Sequence, residues 1–269
     1  MYNNVKKDDV RMNDGNFNYN FRRICHELGH VYYFIESNHH DDNRSNLYRM
    51  TYNSAAHESI GEIMRMAWNG CQLRSRTMLS PSIFERLRIN TLMGEALSTL
   101  VIIPFGMILE EWRNQTFTNN RINLVNSNRF YWMLRERIQH IRRPLSSDDD
   151  HQRILDPLLK YHVANFQPYW RYVFGVMLQH QFHQKICGHH HHHQWSSLVE
   201  CCPGPTDFNP LRKLLGIDLM QTEFSVDDLV IIRKMFDSNK IEYRIEPLLD
   251  YYQPLINWLY EWKRNKQLN

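Results

Sequence analysis

Two short runs, His26-Glu27-Leu28-Gly29-His30 and His57-Glu58-Ser59-Ile60-Gly61-Glu62, constrain this chain more than any other feature. Residues i and i+4 share one face of a helix, so a helix through the first run aims both imidazoles the same way. Imidazole nitrogen suits zinc, and a catalytic zinc takes three protein ligands and keeps one position open. Glu58, offered from a second helix, completes a ligand set of His26, His30 and Glu58. Glu27, one residue beyond the first ligand, stands where a carboxylate can take a proton from water. Bare HExxH strings also arise by chance on surface helices. The second run, with its own carboxylates, argues against that reading.

The helical period dominates the chain. A first helix is predicted from about 18 to 36, followed by a polar loop over 37–53. A second helix starts near Ser54, read as its N-cap, and carries His57, Glu58 and Glu62. Further helices are predicted at 82–113, 119–140, 165–187, 207–216, 226–238 and 246–264. The segment Arg142–Asp150 reads as a solvated connection. No alternating strand and no repeat stands out, so the expectation is one all-α unit over 1–269.

Composition excludes some partners. A formal charge of +3 with no basic stripe gives no footprint for nucleic acid. The longest apolar stretch, Ala96–Leu109, contains Pro104 and is short for a bilayer, so it reads as a buried helix rather than a transmembrane segment. The polar N-terminus has no signal-peptide core. Five cysteines and two N-glycosylation sequons, at Asn43 and Asn114, leave the compartment open. The internal run His189–His193 reads as a loop with adventitious metal affinity.

A third constellation runs from Lys160 to Tyr172 and holds Lys160, His162, Tyr169, Arg171 and Tyr172. Hydrolysis of an amide creates an oxyanion that needs donors aimed at it. A tyrosine hydroxyl and a histidine can supply them, while a lysine and a second tyrosine can hold a carboxylate. Alone, the same residues would suit the start of an amphipathic helix with interfacial aromatics.

Together these residues resemble the angiotensin-converting enzyme family of gluzincin peptidyl-dipeptidases. HELGH and HESIGE stand where that family has HE-[MI]-GH and HEAIGD. KYH…PYWRYV…QHQFHQKIC, from Lys160 to Cys187, resembles the family's KFH…PYIRYF…QFQFHEALC. Ile103-Pro104-Phe105…Trp112-Arg113, Tyr131-Trp132-Met133-Leu134-Arg135 and the close from Leu249 to Leu259 continue the likeness in order. The chain looks like the C-terminal half of such a catalytic domain, the missing half lying before the HExxH.

The resemblance implies roles residue by residue. His26, His30 and Glu58 are implied as ligands of one zinc ion, Glu27 as general base, and Glu62 as the residue orienting a ligand histidine. His162 and Tyr172 are implied to stabilise the transition state, and Lys160 and Tyr169 to clamp the substrate's C-terminal carboxylate. Arg171 and Arg135 match chloride-site arginines. A Cys187–Cys201 disulfide is implied, with Cys202 as substitute partner and Cys25 and Cys71 reduced. The implied substrates are oligopeptides with a free C-terminal carboxylate, cut to release dipeptides outside the cell. The alternative is an inactive homologue that binds peptides as an interaction module.

Overall fold

The computed structural model describes residues 17–38, 53–76, 78–118, 122–144, 155–188 and 242–267. Every regular element among them is helical, as expected. In chain order they are α1 (Phe17–Asn38), α2 (Ser54–Arg74), α3 (Pro81–Thr99), α4 (Ile102–Arg113), a π-turn (Asn114–Thr118), α5 (Leu124–Gln139), a 3-10 turn (Asp156–Leu159), α6 (Tyr161–Ala164), α7 (Trp170–Gly188) and α8 (Glu246–Gln267). The helices expected at 207–216 and 226–238, with Cys201, Cys202 and the histidine run, lie outside the described residues.

The boundaries that differ from expectation have local causes. Asn53, not Ser54, caps α2: its Oδ1 accepts from the amides of Ala55 at 3.0 Å and Ala56 at 3.1 Å. The single helix expected over 82–113 breaks at Leu100–Val101. Pro104 has no N–H and would clash with the carbonyl four residues back, so α4 must start afresh with the proline in its first turn. Pro168 acts likewise in the helix expected over 165–187. It separates α6 from α7 and forces Gln167 out of helical space.

The chain divides into two compact units, 1–94 with 177–269, and 95–176. In the first, α1 and α2 cross so closely that a Cβ on Gly29 would stand 2.8 Å from the Gly61 Cα. Phe21 and Trp68 pack at 4.4 Å between ring centroids along the same pair. The C-terminal part of α7 buries His180 and His183 against Tyr251 and Tyr252 of α8. Burial, with a smaller contribution from His180, pushes His183 down to about 3, so it packs as a neutral ring.

The second unit is built around Ile108, Leu109, Trp112, Tyr131, Leu134, Val163 and Tyr169. Trp112 donates to Ser127 Oγ at 2.8 Å, which satisfies the one polar atom of a fully buried indole. Asp156 ties the 3-10 turn to α5. Its carboxylate accepts from Trp132 Nε1 at 2.6 Å and Asn128 Nδ2 at 3.1 Å, and its amide donates to Asn128 Oδ1 at 3.0 Å.

Among the described residues, one helical stretch, 81–118, is long and apolar enough to cross a membrane by length and composition. The 96–109 reading was thus too narrow, because the flanking turns extend the apolar run. Ile108, Leu109 and Trp112 within it are fully buried core residues. Cys25 is a free thiol, as expected, and burial raises its pKa. Cys71, expected to be reduced, is instead disulfide-bonded, as is Cys187. At the second sequon, Thr116 is buried and within 3.3 Å of Ser127 Oγ.

Candidate metal centre

The α1–α2 crossing places the expected ligands around one point. His26 and His30 face each other with their Nε2 atoms 3.0 Å apart. Glu58 Oε2 lies 3.7 Å from His26 Nε2 and 3.9 Å from His30 Nε2. Ligand atoms on a tetrahedral zinc with bonds near 2.0–2.1 Å stand about 3.3 Å apart, so the three donors match that spacing with small adjustments. Among the described residues they form the one His/Cys/Asp/Glu group close enough to hold an ion. The close crossing depends on glycine. A Cβ on Gly61 would stand 2.8 Å from His26 Nδ1, so any side chain there would displace the first histidine.

Charge in the cluster favours a cation. Burial would lower the His26 pKa, but the Glu58 and Glu62 carboxylates beside it raise it to about 9. His30 is lowered by burial and then by the charge of His26. Burial works against ionised Glu58, yet His26 beside it and the nearby His30 and His57 keep its pKa below the usual range. Glu62 is held down at about 2 against burial by Arg65 and His26. Glu58 is thus held ionised beside the two ligand nitrogens, where a bound cation would neutralise it.

Glu62 sits 2.9 Å from His26 Nδ1, on the far side of the ring from the ligand nitrogen. Arg65 grips the same carboxylate with Nε and Nη2, each at 2.6 Å. This is the arrangement by which an outer carboxylate fixes a ligand histidine's orientation and tautomer. Arg65 was not singled out from sequence, although its i+3 spacing from Glu62 was a usable signal.

In the second unit, the residues expected from the Lys160–Tyr172 run also gather. His162 Nε2 and Tyr172 Oη are 2.7 Å apart. The Tyr169 ring packs on Tyr172 at 4.8 Å and on His162 at 5.4 Å. Lys160 Nζ lies 5.6 Å from the Tyr169 ring centre and 5.9 Å from that of Phe105. Two α4 residues clamp this segment through its backbone. Arg113 donates to the carbonyls of His162 at 2.8 Å and Gln167 at 2.7 Å, and Glu110 accepts from the Tyr169 amide. Sequence reading took Arg113 only as part of a motif and passed over Glu110.

The two expected anion-site arginines differ. Arg171 donates to Gln167 Oε1 and, at 3.2 Å, to the Pro168 carbonyl. Arg135 instead lies over Phe105, Tyr131 and Trp132 at 5.2–5.9 Å, and its buried Nε has no hydrogen-bond partner among the described residues.

The peptidase family model described as angiotensin-converting enzyme matches residues 3–269. The chain belongs to the angiotensin-converting enzyme family. It is 30% identical over 244 residues to angiotensin-converting enzyme of Sus scrofa, an alignment covering 88% of this chain and 17% of that protein. Against the angiotensin-converting enzyme-like protein Ace3 of Mus musculus it is 27% identical over 245 residues, covering 88% of this chain and 30% of the relative. Angiotensin-converting enzyme of Bos taurus is 30% identical over 244 residues. The chain thus spans less than a third of the length of these relatives.

Proposed function

We propose that this chain carries the zinc-binding part of a peptidase that releases dipeptides from the C-terminus of oligopeptides. The observation that supports it is the convergence of His26, His30 and Glu58 from two helices onto one point, with Glu62 behind His26. Bound there, zinc supplies a Lewis acid that polarises a carbonyl and makes water more acidic. Glu27, next to His26 on α1, serves as general base and takes the proton of the attacking water. The His162–Tyr172 pair supplies donors for the oxyanion that develops on the carbonyl. Lys160 and Tyr169 hold the free C-terminal carboxylate of the substrate.

Two subsidiary assignments follow. The Nε of Arg135, without a hydrogen-bond partner among the described residues and set among aromatic rings, supports an anion such as chloride at that residue, and Arg171, with two of its five N–H donors engaged, keeps donors for one as well. Disulfide-bonded Cys71 and Cys187 support an oxidising, extracellular setting.

The test combines zinc content with peptide cleavage. The chain should bind one zinc, and Glu27→Gln should keep that zinc and lose hydrolysis. Free-carboxyl peptides should be cut and C-terminally amidated ones spared. Lys160→Leu should raise KM about 10–100-fold through the lost charge-assisted bond. Zinc and peptide binding without cleavage would point instead to an inactive peptide-binding homologue. Failure to bind zinc would sink the proposal outright.

A further inference from the structure

The two candidate ligand histidines are held by different means. His26 has a carboxylate 2.9 Å from its outer nitrogen, and that carboxylate is locked by Arg65. His30 has no such support: its Nδ1 is buried and has no hydrogen-bond partner among the described residues. A ligand imidazole whose outer nitrogen is untied is free to rotate about its last torsion unless packing stops it.

Packing does stop it. The His57 ring lies parallel to the His30 ring, with centroids 4.0 Å apart and planes inclined by 16°. On another side of His30 stands the edge of His26, at 4.6 Å and 89°. His57 is wedged in turn against two α1 rings, Tyr33 at 5.3 Å and Phe34 at 5.2 Å. Rotation of His30 would have to push His57 into those rings. The glycine crossing at Gly29 and Gly61 brings α2 near enough for this stack to form.

We propose that His57 is a positioning residue for the metal centre, acting through His30 by ring stacking in the role that Glu62 fills for His26. This rests on the zinc reading above. The contribution comes from the flat face of His57, so another flat ring should replace it and an aliphatic side chain should not.

The test is zinc affinity of the full chain, measured by competition with a chromophoric chelator for wild type, His57→Phe and His57→Leu. Melting of each variant without metal controls for folding. The expected result is His57→Phe within about threefold of wild type and His57→Leu weaker by about tenfold or more, the scale seen when outer partners of metal ligands are lost. The cobalt-substituted His57→Leu protein should also show an altered visible absorption envelope, which a purely structural change away from the ligands would leave alone. Wild-type affinity in His57→Leu would overturn the proposal, and so would a His57→Phe protein as weak as His57→Leu. If His57→Leu does not fold, His57→Phe decides alone: retention within threefold supports the stack, and a tenfold loss overturns it. A wild-type chain that binds no zinc would remove the metal centre and this inference together. Zinc bound equally by all three proteins would remove only the inference.

Discussion

The His26–His30–Glu58 cluster and the Lys160–Tyr172 cluster reach comparable order by different routes. The first is made of side chains on two long helices whose backbones nearly touch, with Gly29 and Gly61 giving the clearance. Its partners are ion pairs and stacked rings between side chains. The second lies on a short helix, a proline-broken segment and the start of α7. Its order comes from Arg113 and Glu110, which bind the backbone rather than the functional groups. Identity at the first cluster is therefore tied to spacing along helices, and at the second to two residues some 50 positions away in sequence.

The sharpest way to break this comparison is to obstruct the helix crossing. Gly61→Val should lower zinc affinity by about a hundredfold or more and cost about 3 kcal/mol of stability, because its Cβ would meet His26 at 2.8 Å. Gly94→Ala is the control, since a Cβ there meets nothing within 4 Å. It should be neutral or stabilise by about 1 kcal/mol, as alanine does over glycine within a helix. Titration with zinc and chemical denaturation of both variants would check this, and a Gly61→Val protein with wild-type affinity would show that the helices can part freely.

The backbone clamp should behave in the opposite sense. Arg113→Ala removes two bonds from a charged donor and should cost about 2–3 kcal/mol in denaturant melts, while zinc affinity stays within about twofold. A large drop in zinc affinity would erase the distinction between the clusters. Glu62→Gln should do the reverse, weakening zinc by about tenfold to a hundredfold through loss of the carboxylate behind His26.

The smallest effect concerns acid stability. His183 titrates at about 3 when folded, against 6.5 for the ordinary side chain. The unfolded chain therefore takes up the proton first, and the contribution of His183 to stability is greatest above pH 6.5 and falls as pH drops toward 3. The slope is up to about 1.4 kcal/mol per pH unit, or about 2 kcal/mol lost by pH 5. His183→Leu should flatten this part of the curve in melts run from pH 7 to pH 5. An unchanged slope would mean that other groups carry the acid sensitivity.

The metal cluster was legible in the sequence because helical spacing alone puts His26 and His30 on one face, and Glu58 follows on the next helix. Helix α1 was expected at 18–36 and runs from Phe17 to Asn38. The break near Pro104 was readable in principle, yet the apolar run on both sides hid it. Asn53 was passed over as a cap because Ser54 beside it is also a good one. The backbone contacts of Arg113 and Glu110 could not be read, since carbonyl and amide partners leave no mark on residue identity. The state of Cys71 was missed for a related reason: one cysteine within a helix gives no sign of its partner.

Gly29 and Gly61 also bear on how chains of this kind can be recognised. A chance HExxH has no reason to place glycine just before its second histidine. It has still less reason to be followed by a helix whose glycine comes three residues after a carboxylate. Requiring both glycines would turn a five-residue string into a pattern over two helices, because each empty position makes room for the other helix of the crossing. Such a filter selects on helix separation rather than on ligands. It would retain chains whose histidines have drifted to other donors and reject those that carry the histidines on an isolated helix.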